Sequence, residues 1–368
     1  MPLSLFFLLD GVLFATWVVR IPSIKDQLGV STGGLGVALM CMAIGTGLAM
    51  TVSGRLCLRY GTRPVILGAI ALLCLAVPVI SLAGTMAALC LALAVTGLFY
   101  GTLNIGLNSA AVEVERSTTR PVMSVLHGLW SAGGLAGALL GGLLVGSLTT
   151  AQHFLLVSAF VLLGTAVLAR PLLRGTLPAA AAHSQGGTRT FGLAVALCGV
   201  LAVCAAFGEG AVADWSVLHL RDDLGAAADL AAYGFSAYSV AIALARLGGS
   251  RLVARFGQTT VLVTGAVLAV CGGLAASWTG SVPVAFAGFV VVGLGLGNVF
   301  PLAIAQAGAL GGPAGVSLAA SIGHAGMLGG PPLIGFLAEH VGLPGALSAI
   351  AISSAAVVPL ALYLRAAR

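Results

Sequence analysis

A short motif occurs twice in the 368-residue chain: Gly54-Arg-Leu-Cys-Leu-Arg-Tyr-Gly61 returns 196 residues later as Ser250-Arg-Leu-Val-Ala-Arg-Phe-Gly257. Both copies follow one apolar run and precede another. Three weaker echoes have nearly the same spacing: Gly101–Asn104 with Gly295–Asn298, His127–Gly134 with His324–Pro331, and Gly11–Trp17 with Gly210–Trp215. Agreement among four weak matches predicts two parallel, homologous halves, with Asn298 as the repeat partner of Asn104.

The composition excludes a water-soluble protein. Hydrophobic residues make up 59% of the chain and charged residues 7%, and the mean hydropathy is +1.12. Soluble domains carry roughly 25% charged residues because their surfaces need them. The net charge of +6 therefore does not indicate nucleic acid binding. The seven cysteines form no CxxC pair and have no histidine cluster beside them, so neither a metal site nor a cofactor is predicted.

Twelve apolar runs are long enough to cross a bilayer, which takes about 20 residues. They span 2–19, 33–53, 64–83, 86–110, 122–147, 151–169, 191–217, 228–249, 258–278, 282–307, 314–337 and 343–364. The first run lacks the basic start and cleavage site of a signal peptide. We therefore predict an all-α integral membrane protein of twelve transmembrane helices in two pseudo-symmetric six-helix bundles.

The long polar connection 170–190 has the Gly, Pro and small-polar composition of a linker. It predicts an N-terminal bundle over 1–169, a cytoplasmic linker over 170–190 and a C-terminal bundle over 191–368. If the N-terminus is cytoplasmic, 13 of the 16 basic residues, Arg246 among them, lie at the cytoplasmic side and Arg20, Lys25 and Arg221 face out. The positive-inside rule then places both termini in the cytoplasm.

The repeated motif resembles the loop between helices two and three of the major facilitator superfamily. Gly54, Arg59, Gly61 and Arg63 match the family pattern, as do Arg255 and Gly257 in the second copy. The family's loop acid falls on Leu58 and Ala254, so the charge network of that loop is altered here. The resemblance implies a cytoplasmic gating loop formed by these residues.

Local features also resemble the fucose-permease-like branch and its YbjJ-type relatives in bacterial inner membranes. They are Trp17-Val-Val-Arg-Ile-Pro22, Glu209-Gly210 with Asp214-Trp215, Asn298-Val-Phe-Pro301 and Gly329-Gly-Pro-Pro332. The resemblance implies a monomeric transporter in a bacterial inner membrane. Asn104 stands where sugar-carrying members have an acid, so proton-coupled sugar uptake does not carry over directly.

Asp10, Glu209 and Asp214 lie in predicted spans, where an ionisable side chain usually faces a cavity or a partner. Asp10 lies near the middle of the first span, and Trp17 is seven residues on, about 20° from the same face. Glu209 lies deep in the seventh span and Asp214 nearer its outer end. Each is a candidate for solute binding or proton coupling. The alternative for Asp10 is a late helix start, which would leave it at the interface.

Polar residues without charge form the second set of candidates. Asn104 and Asn108 are four residues apart and so share a helix face. These two amides and Asn298 suit a neutral polar ligand, but they also suit hydrogen bonds between helices. His324 is a candidate proton relay, and its repeat counterpart His127 is expected nearer the interface.

These features predict a secondary transporter that moves a small, neutral, polar solute by alternating access. If transport is coupled to protons, Asp10 or Glu209 carries the proton. An exporter of amphipathic compounds and a non-transporting sensor remain alternatives. An enzyme is not expected, because the sequence has no HExxH, Gly-x-Ser-x-Gly or nucleotide-binding loop.

Overall fold

In the computed structural model, residues 2–118, 123–174 and 192–366 are described, and all regular structure within them is helical. The first half contains α1 (Pro2–Leu28), α2 (Thr32–Tyr60), α3 (Thr62–Ile80), α4 (Met86–Thr118), α5 (Met123–Val145) and α6 (Thr150–Arg174). The second half contains α7 (Leu193–Leu218), a π-helical turn (His219–Asp223), α8 (Ala228–Phe256), α9 (Gln258–Trp278), α10 (Val282–Leu296) and α11 (Val299–Ala366).

Contacts divide the chain into two compact units, Met1–Ser184 and Gln185–Arg368. Residues 170–174, expected to begin the linker, still belong to α6, because Leu172 is buried and extends its apolar face. The remainder of the predicted linker, 175–190, lies outside the described residues.

Eleven stretches of the described chain are long and apolar enough to cross a membrane. The last helix, α11, is 68 residues long but is not straight. A Cβ on Gly315 would lie beside the Ala307 carbonyl, although eight residues of straight helix separate two positions by about 12 Å. Gly323 likewise lies against Phe300, so the chain reverses between residues 307 and 315.

A second break in α11 follows from Gly342, whose φ is 75°. Upstream of it, Gly326 and Gly330 contact Val203 and Phe207, so this leg runs parallel to α7. Downstream of it, Ser348 and Ile350 contact Trp278 and Gly273, so this leg runs antiparallel to α9. These two legs coincide with the predicted eleventh and twelfth spans.

Glycines with positive φ mark the same turns in both units. Gly29 and Gly225 follow the first helix of each unit, with φ of 60° and 67°. Gly61 and Gly257 end α2 and α8 with φ, ψ of 85°, 155° and 81°, 154°, a region open essentially to glycine alone. Each pair is 196 residues apart, which agrees with the spacing of the repeated motif.

Glycine contacts between helices give the register of the repeat. In the first unit Gly97 of α4 meets the Met42 carbonyl of α2 and Gly101 meets Thr46. In the second unit Gly293 of α10 meets the Tyr238 carbonyl of α8 and Gly297 meets Ile242. Each of these four residues of the second unit lies 196 positions after its counterpart in the first.

This register corrects one sequence-based equivalence. At 196 residues the counterpart of Asn298 is Thr102, and that of Asn104 is Phe300. The expected pairing of Asn104 with Asn298 is therefore wrong. It followed a Gly-x-x-Asn pattern that is shifted by two residues within a glycine-rich helix.

Candidate functional site

Asp10 is buried inside the first unit, with 1% of its surface exposed. The helix α1 begins at Pro2, eight residues and about 12 Å before Asp10. A late helix start is therefore wrong. The indole Nε1 of Trp130 on α5 donates a hydrogen bond of 2.9 Å to Asp10 Oδ2. The other carboxylate oxygen, Oδ1, has no hydrogen-bond partner within the described residues.

Small residues bring α1 and α5 close enough for this bond. Gly133 and Gly137 of α5 face the carbonyls of Leu8 and Val12, and Gly11 of α1 faces the Trp130 carbonyl. A side chain at any of these positions would meet backbone atoms. The Asp10–Trp130 contact is therefore held by two tightly packed helix backbones.

Trp130 also belongs to an aromatic cluster with Phe14 and Tyr100. Its ring centroid lies 5.5 Å from that of Phe14, which stacks on Tyr100 of α4 at 5.8 Å. Phe14 and Tyr100 border a small apolar cavity, which is also lined by Leu13, Trp17, Met42, Leu73, Val77 and Thr96. Trp17 borders this cavity and Asp10 does not, so the two side chains do not line it together.

Asn104, Asn108 and His127 form a polar row across α4 and α5. Asn108 Nδ2 donates to both the backbone carbonyl and the side-chain oxygen of Asn104, at 2.9 and 3.1 Å. Asn108 Oδ1 lies 3.2 Å from His127 Nε2. All three side chains are only partly buried, so they keep surface on which a ligand can bind.

Arg20 and His153 form a buried pair that the sequence did not reveal. Arg20 Nε donates to His153 Nδ1 at 2.9 Å, and the exposed fractions are 2% and 0%. The remaining Arg20 nitrogens donate to the carbonyls of Leu144, Val145 and Leu148. Arg20 was expected to face outward as a loop residue. Instead it caps the last turn of α5, where a positive charge is favourable.

Glu209 of α7 forms an ion pair with Arg246 of α8 in the second unit. Arg246 Nη2 lies 2.8 and 3.0 Å from the two carboxylate oxygens, and Arg246 Nε donates to the Gly297 carbonyl. About a quarter of each charged side chain is exposed, 26% for Glu209 and 28% for Arg246. The sequence offered one signal for this pair, since Arg246 falls inside the predicted span 228–249.

The other predicted candidates do not join these groups. Asp214 has no hydrogen bond or ion pair with the residues that the structure describes. Asn298 is 8% exposed and donates to the Ala245 carbonyl, with Gly249 packed against its Oδ1. It therefore joins the junction between α10 and α11 to α8, which is the arrangement that the helix-packing alternative describes. The backbone of His324 lies in α11, but its side chain is outside the described residues.

The two copies of the loop motif have the same local geometry. The guanidinium carbon of Arg59 lies 5.3 Å from the Tyr60 ring centroid, and that of Arg255 lies 5.3 Å from the Phe256 ring centroid. Gly54 is exposed and Arg63 is partly buried. At the start of α3, Thr62 Oγ1 donates to the buried Glu113 carboxylate of α4 at 3.2 Å. An acid from α4 thus contacts the loop whose own acid is replaced by Leu58.

Sequence comparison decides the family. The profile of the Major Facilitator Superfamily matches residues 3–208 and again residues 198–368. The chain belongs to the major facilitator superfamily. It is a multi-pass membrane transporter of that type, and the finer assignment to the fucose-permease-like branch remains a prediction.

Similar proteins cover most of the chain. An uncharacterized transporter of Sinorhizobium fredii is 33% identical, over 85% of this chain and 83% of the relative. An uncharacterized MFS-type transporter of Yersinia pestis is 34% identical, over 82% and 78%. Membrane protein MosC of Rhizobium meliloti is 27% identical, over 93% and 84%.

Two solved transporter structures share the fold. A bacterial homolog of the human lysosomal transporter Spinster superposes with a TM-score of 0.78 at 16% identity, over 99% of this chain and 96% of that one. A point mutant of the nucleoside transporter NupG gives 0.77 at 13% identity, over 99% and 98%. At these identities the likeness shows the fold alone.

Proposed function

We propose that this superfamily member is a proton-coupled secondary transporter of a small, neutral, polar solute, with Asp10 as the coupling carboxylate. It works by alternating access in a bacterial inner membrane, with both termini in the cytoplasm. The observation that carries the proposal is the buried Asp10 carboxylate, whose hydrogen-bond partner is the neutral indole of Trp130.

An ionised carboxylate at membrane depth costs roughly 2.5–3.5 kcal/mol unless its charge is compensated. No arginine, lysine or histidine forms an ion pair with Asp10 in the part of the chain that the structure describes. A proton is then the available compensation, and its uptake and release link Asp10 to a proton gradient. Glu209 differs because Arg246 already compensates its charge. Of the two carboxylates considered from the sequence, the geometry therefore favours Asp10.

The polar row supports a neutral polar solute. Its two amides and one imidazole offer both donors and acceptors, and they carry no fixed charge opposite which an ionic solute would bind. Nearby aromatic rings supply flat apolar surface. A solute with several hydroxyl or amide groups on a compact ring fits this combination.

A second candidate, export of an amphipathic compound, is favoured by one observation. The small cavity beside Trp17 and Phe14 is lined almost entirely by apolar side chains. At about 10 Å³ the cavity is too small for such a compound, so export would require it to widen during transport.

A ligand panel separates these two functions. The purified protein is heated in detergent with sugars, nucleosides, nucleobases, amino acids and typical efflux substrates, and the unfolding midpoint is measured. A ligand that binds only the folded state stabilises it by roughly 2.7 kcal/mol at 100 times its dissociation constant. We expect a dose-dependent shift with one neutral polar class, weakened in Asn108→Ala and kept in Thr264→Val, whose exposed hydroxyl bonds only its own helix.

The compound that shifts the midpoint is then followed into proteoliposomes. Accumulation should require an inward proton gradient and stop when a protonophore collapses it. A shift produced only by efflux substrates would favour the exporter instead. Accumulation that ignores the gradient would reject proton coupling.

A further inference from the structure

The bond between Trp130 and Asp10 joins the buried carboxylate to a side chain that is partly exposed. Asp10 is 1% exposed, whereas Trp130 and the polar row are partly exposed. His127 precedes Trp130 by one helical turn on α5, and Tyr100 precedes Asn104 by one turn on α4. The indole therefore contacts the carboxylate on one side and Phe14 on the other, and Phe14 stacks on Tyr100 of the helix that carries Asn104 and Asn108.

We propose that Trp130 is a positioning residue that transmits the charge of Asp10 to the solute site. The inference rests on the proposed coupling role of Asp10. When Asp10 is ionised, its Oδ2 accepts a charge-assisted hydrogen bond from the indole and fixes the ring. When Asp10 takes up a proton, the ring is released and the surface presented to the solute changes.

The strength of the bond supports this link. Hydrogen bonds to an ionised group are roughly twice as strong as bonds between neutral groups. Because Oδ1 has no partner within the described residues, the indole is the group that responds to the charge of Asp10. The Trp130 carbonyl packs against Gly11, so the backbone of α5 cannot move with the ring. The response is confined to the side chain and to its contact with Phe14.

A pH-dependent signal from Asp10 must be distinguished from that of other ionisable groups on the helices packed against α1. Tyr100 of α4 stacks on Phe14. His127 of α5 bonds to Asn108, and His153 of α6 is bound by Arg20, ten residues beyond Asp10 on α1. Cys74 of α3 is buried. His127 is the group from which Asp10 must be distinguished, because a histidine side chain can also change charge with pH.

The test is the pH dependence of Trp130 fluorescence, which needs neither a solute nor transport. The chain has four tryptophans, so Trp17→Phe, Trp215→Phe and Trp278→Phe together leave Trp130 as the only emitter. We expect its emission maximum to change once between pH 4 and 9. In Asp10→Asn, which keeps an acceptor oxygen but no charge, the emission should stay at its low-pH value throughout. His127→Gln should keep the transition.

Trp215 is fully buried, so the triple variant can fail to fold. The difference between the spectra of the native protein and of Trp130→Phe then gives the same signal, with Trp17→Phe as the matched control. A transition that persists in Asp10→Asn, or emission that does not change with pH, would overturn the proposal. A positive fluorescence result together with failed accumulation would instead reject the proposed transport function and keep the Asp10–Trp130 link.

Discussion

Arg20 shows how one charged side chain is accommodated deep in an apolar bundle. Its guanidinium donates to three backbone carbonyls at the end of α5 and to His153 Nδ1, so each of its nitrogens has an acceptor. A planar fork of donors fits this arrangement, and a lysine ammonium does not. The residue therefore stabilises the junction of α1, α5 and α6.

We expect Arg20→Ala to lower the free energy of unfolding by roughly 2–4 kcal/mol, because it leaves buried carbonyls and His153 without a donor. Arg20→Lys should recover only part of that loss. Thermal unfolding in detergent measures both. Arg251→Ala removes an exposed arginine of α8 and should stay within about 0.5 kcal/mol of the native protein. Equal midpoints for Arg20→Ala and Arg251→Ala would contradict the capping role.

At this scale the sequence indicated candidate residues but did not indicate their partners. Asp10 and Glu209 stood out because acids are rare in apolar runs. Arg20 was assigned to the loop after the first span, because that span was predicted to end at residue 19. Its partners lie 124 to 133 residues away, and only the packing of α5 and α6 against α1 brings them together.

The Glu209–Arg246 ion pair belongs to the scale of helices, because it connects α7, α8 and the Gly297 carbonyl after α10. Removing one partner leaves a partly buried charge without compensation. Removing both leaves no such charge.

We expect Glu209→Gln and Arg246→Gln each to lower the free energy of unfolding by roughly 1–3 kcal/mol, and the double variant to lose less than the sum. Thermal unfolding of the four proteins in the cycle measures the coupling. The Arg221–Asp222 pair is a contrast, because its partners are neighbours in sequence and join no two helices, so they should couple by less than about 1 kcal/mol. Additive losses for Glu209 and Arg246 would show that the ion pair contributes no stability.

Helix crossings depend on glycines whose partners the sequence did not specify. A Cβ on Gly97 would overlap the Met42 carbonyl, whereas a Cβ on Gly68 of α3 meets open space. Gly97→Ala should therefore cost roughly 1–3 kcal/mol through overpacking. Gly68→Ala should gain up to about 1 kcal/mol through helix propensity. Unfolding midpoints that move in the same direction would show that the α2–α4 crossing is looser than the structure describes.

Helix positions followed from apolar length, and the abundance of glycine indicated close packing. The register required the structure, because the closely spaced glycines 293, 295 and 297 offer alternative alignments with Gly97 and Gly101. For this reason Asn298 was paired with Asn104 when its counterpart is Thr102. The two breaks in α11 were predicted as separations between spans, and the contacts of Gly315 and Gly323 support the first of them.

Across the whole molecule, the two units share a backbone plan and differ in chemistry. Gly61 and Gly257 have nearly the same dihedral angles, and the arginines before them stack on aromatic rings at the same distance. The acids in α1 and α7 have different partners, an indole for Asp10 and a guanidinium for Glu209. Position 50, the counterpart of Arg246, is methionine, so the guanidinium of Arg246 has no counterpart at that position of the first unit. We infer that the repeat preserves the scaffold and that proton coupling belongs to the first unit.

The most direct test of this account compares gradient-driven accumulation with counterflow in proteoliposomes, using the neutral polar compound identified by the thermal-shift panel. Counterflow needs solute binding and alternating access but no net proton movement. We predict that Asp10→Asn abolishes accumulation and retains counterflow, and that Glu209→Gln, once corrected for the amount of folded protein, retains both. Accumulation at the native level in Asp10→Asn would contradict the account.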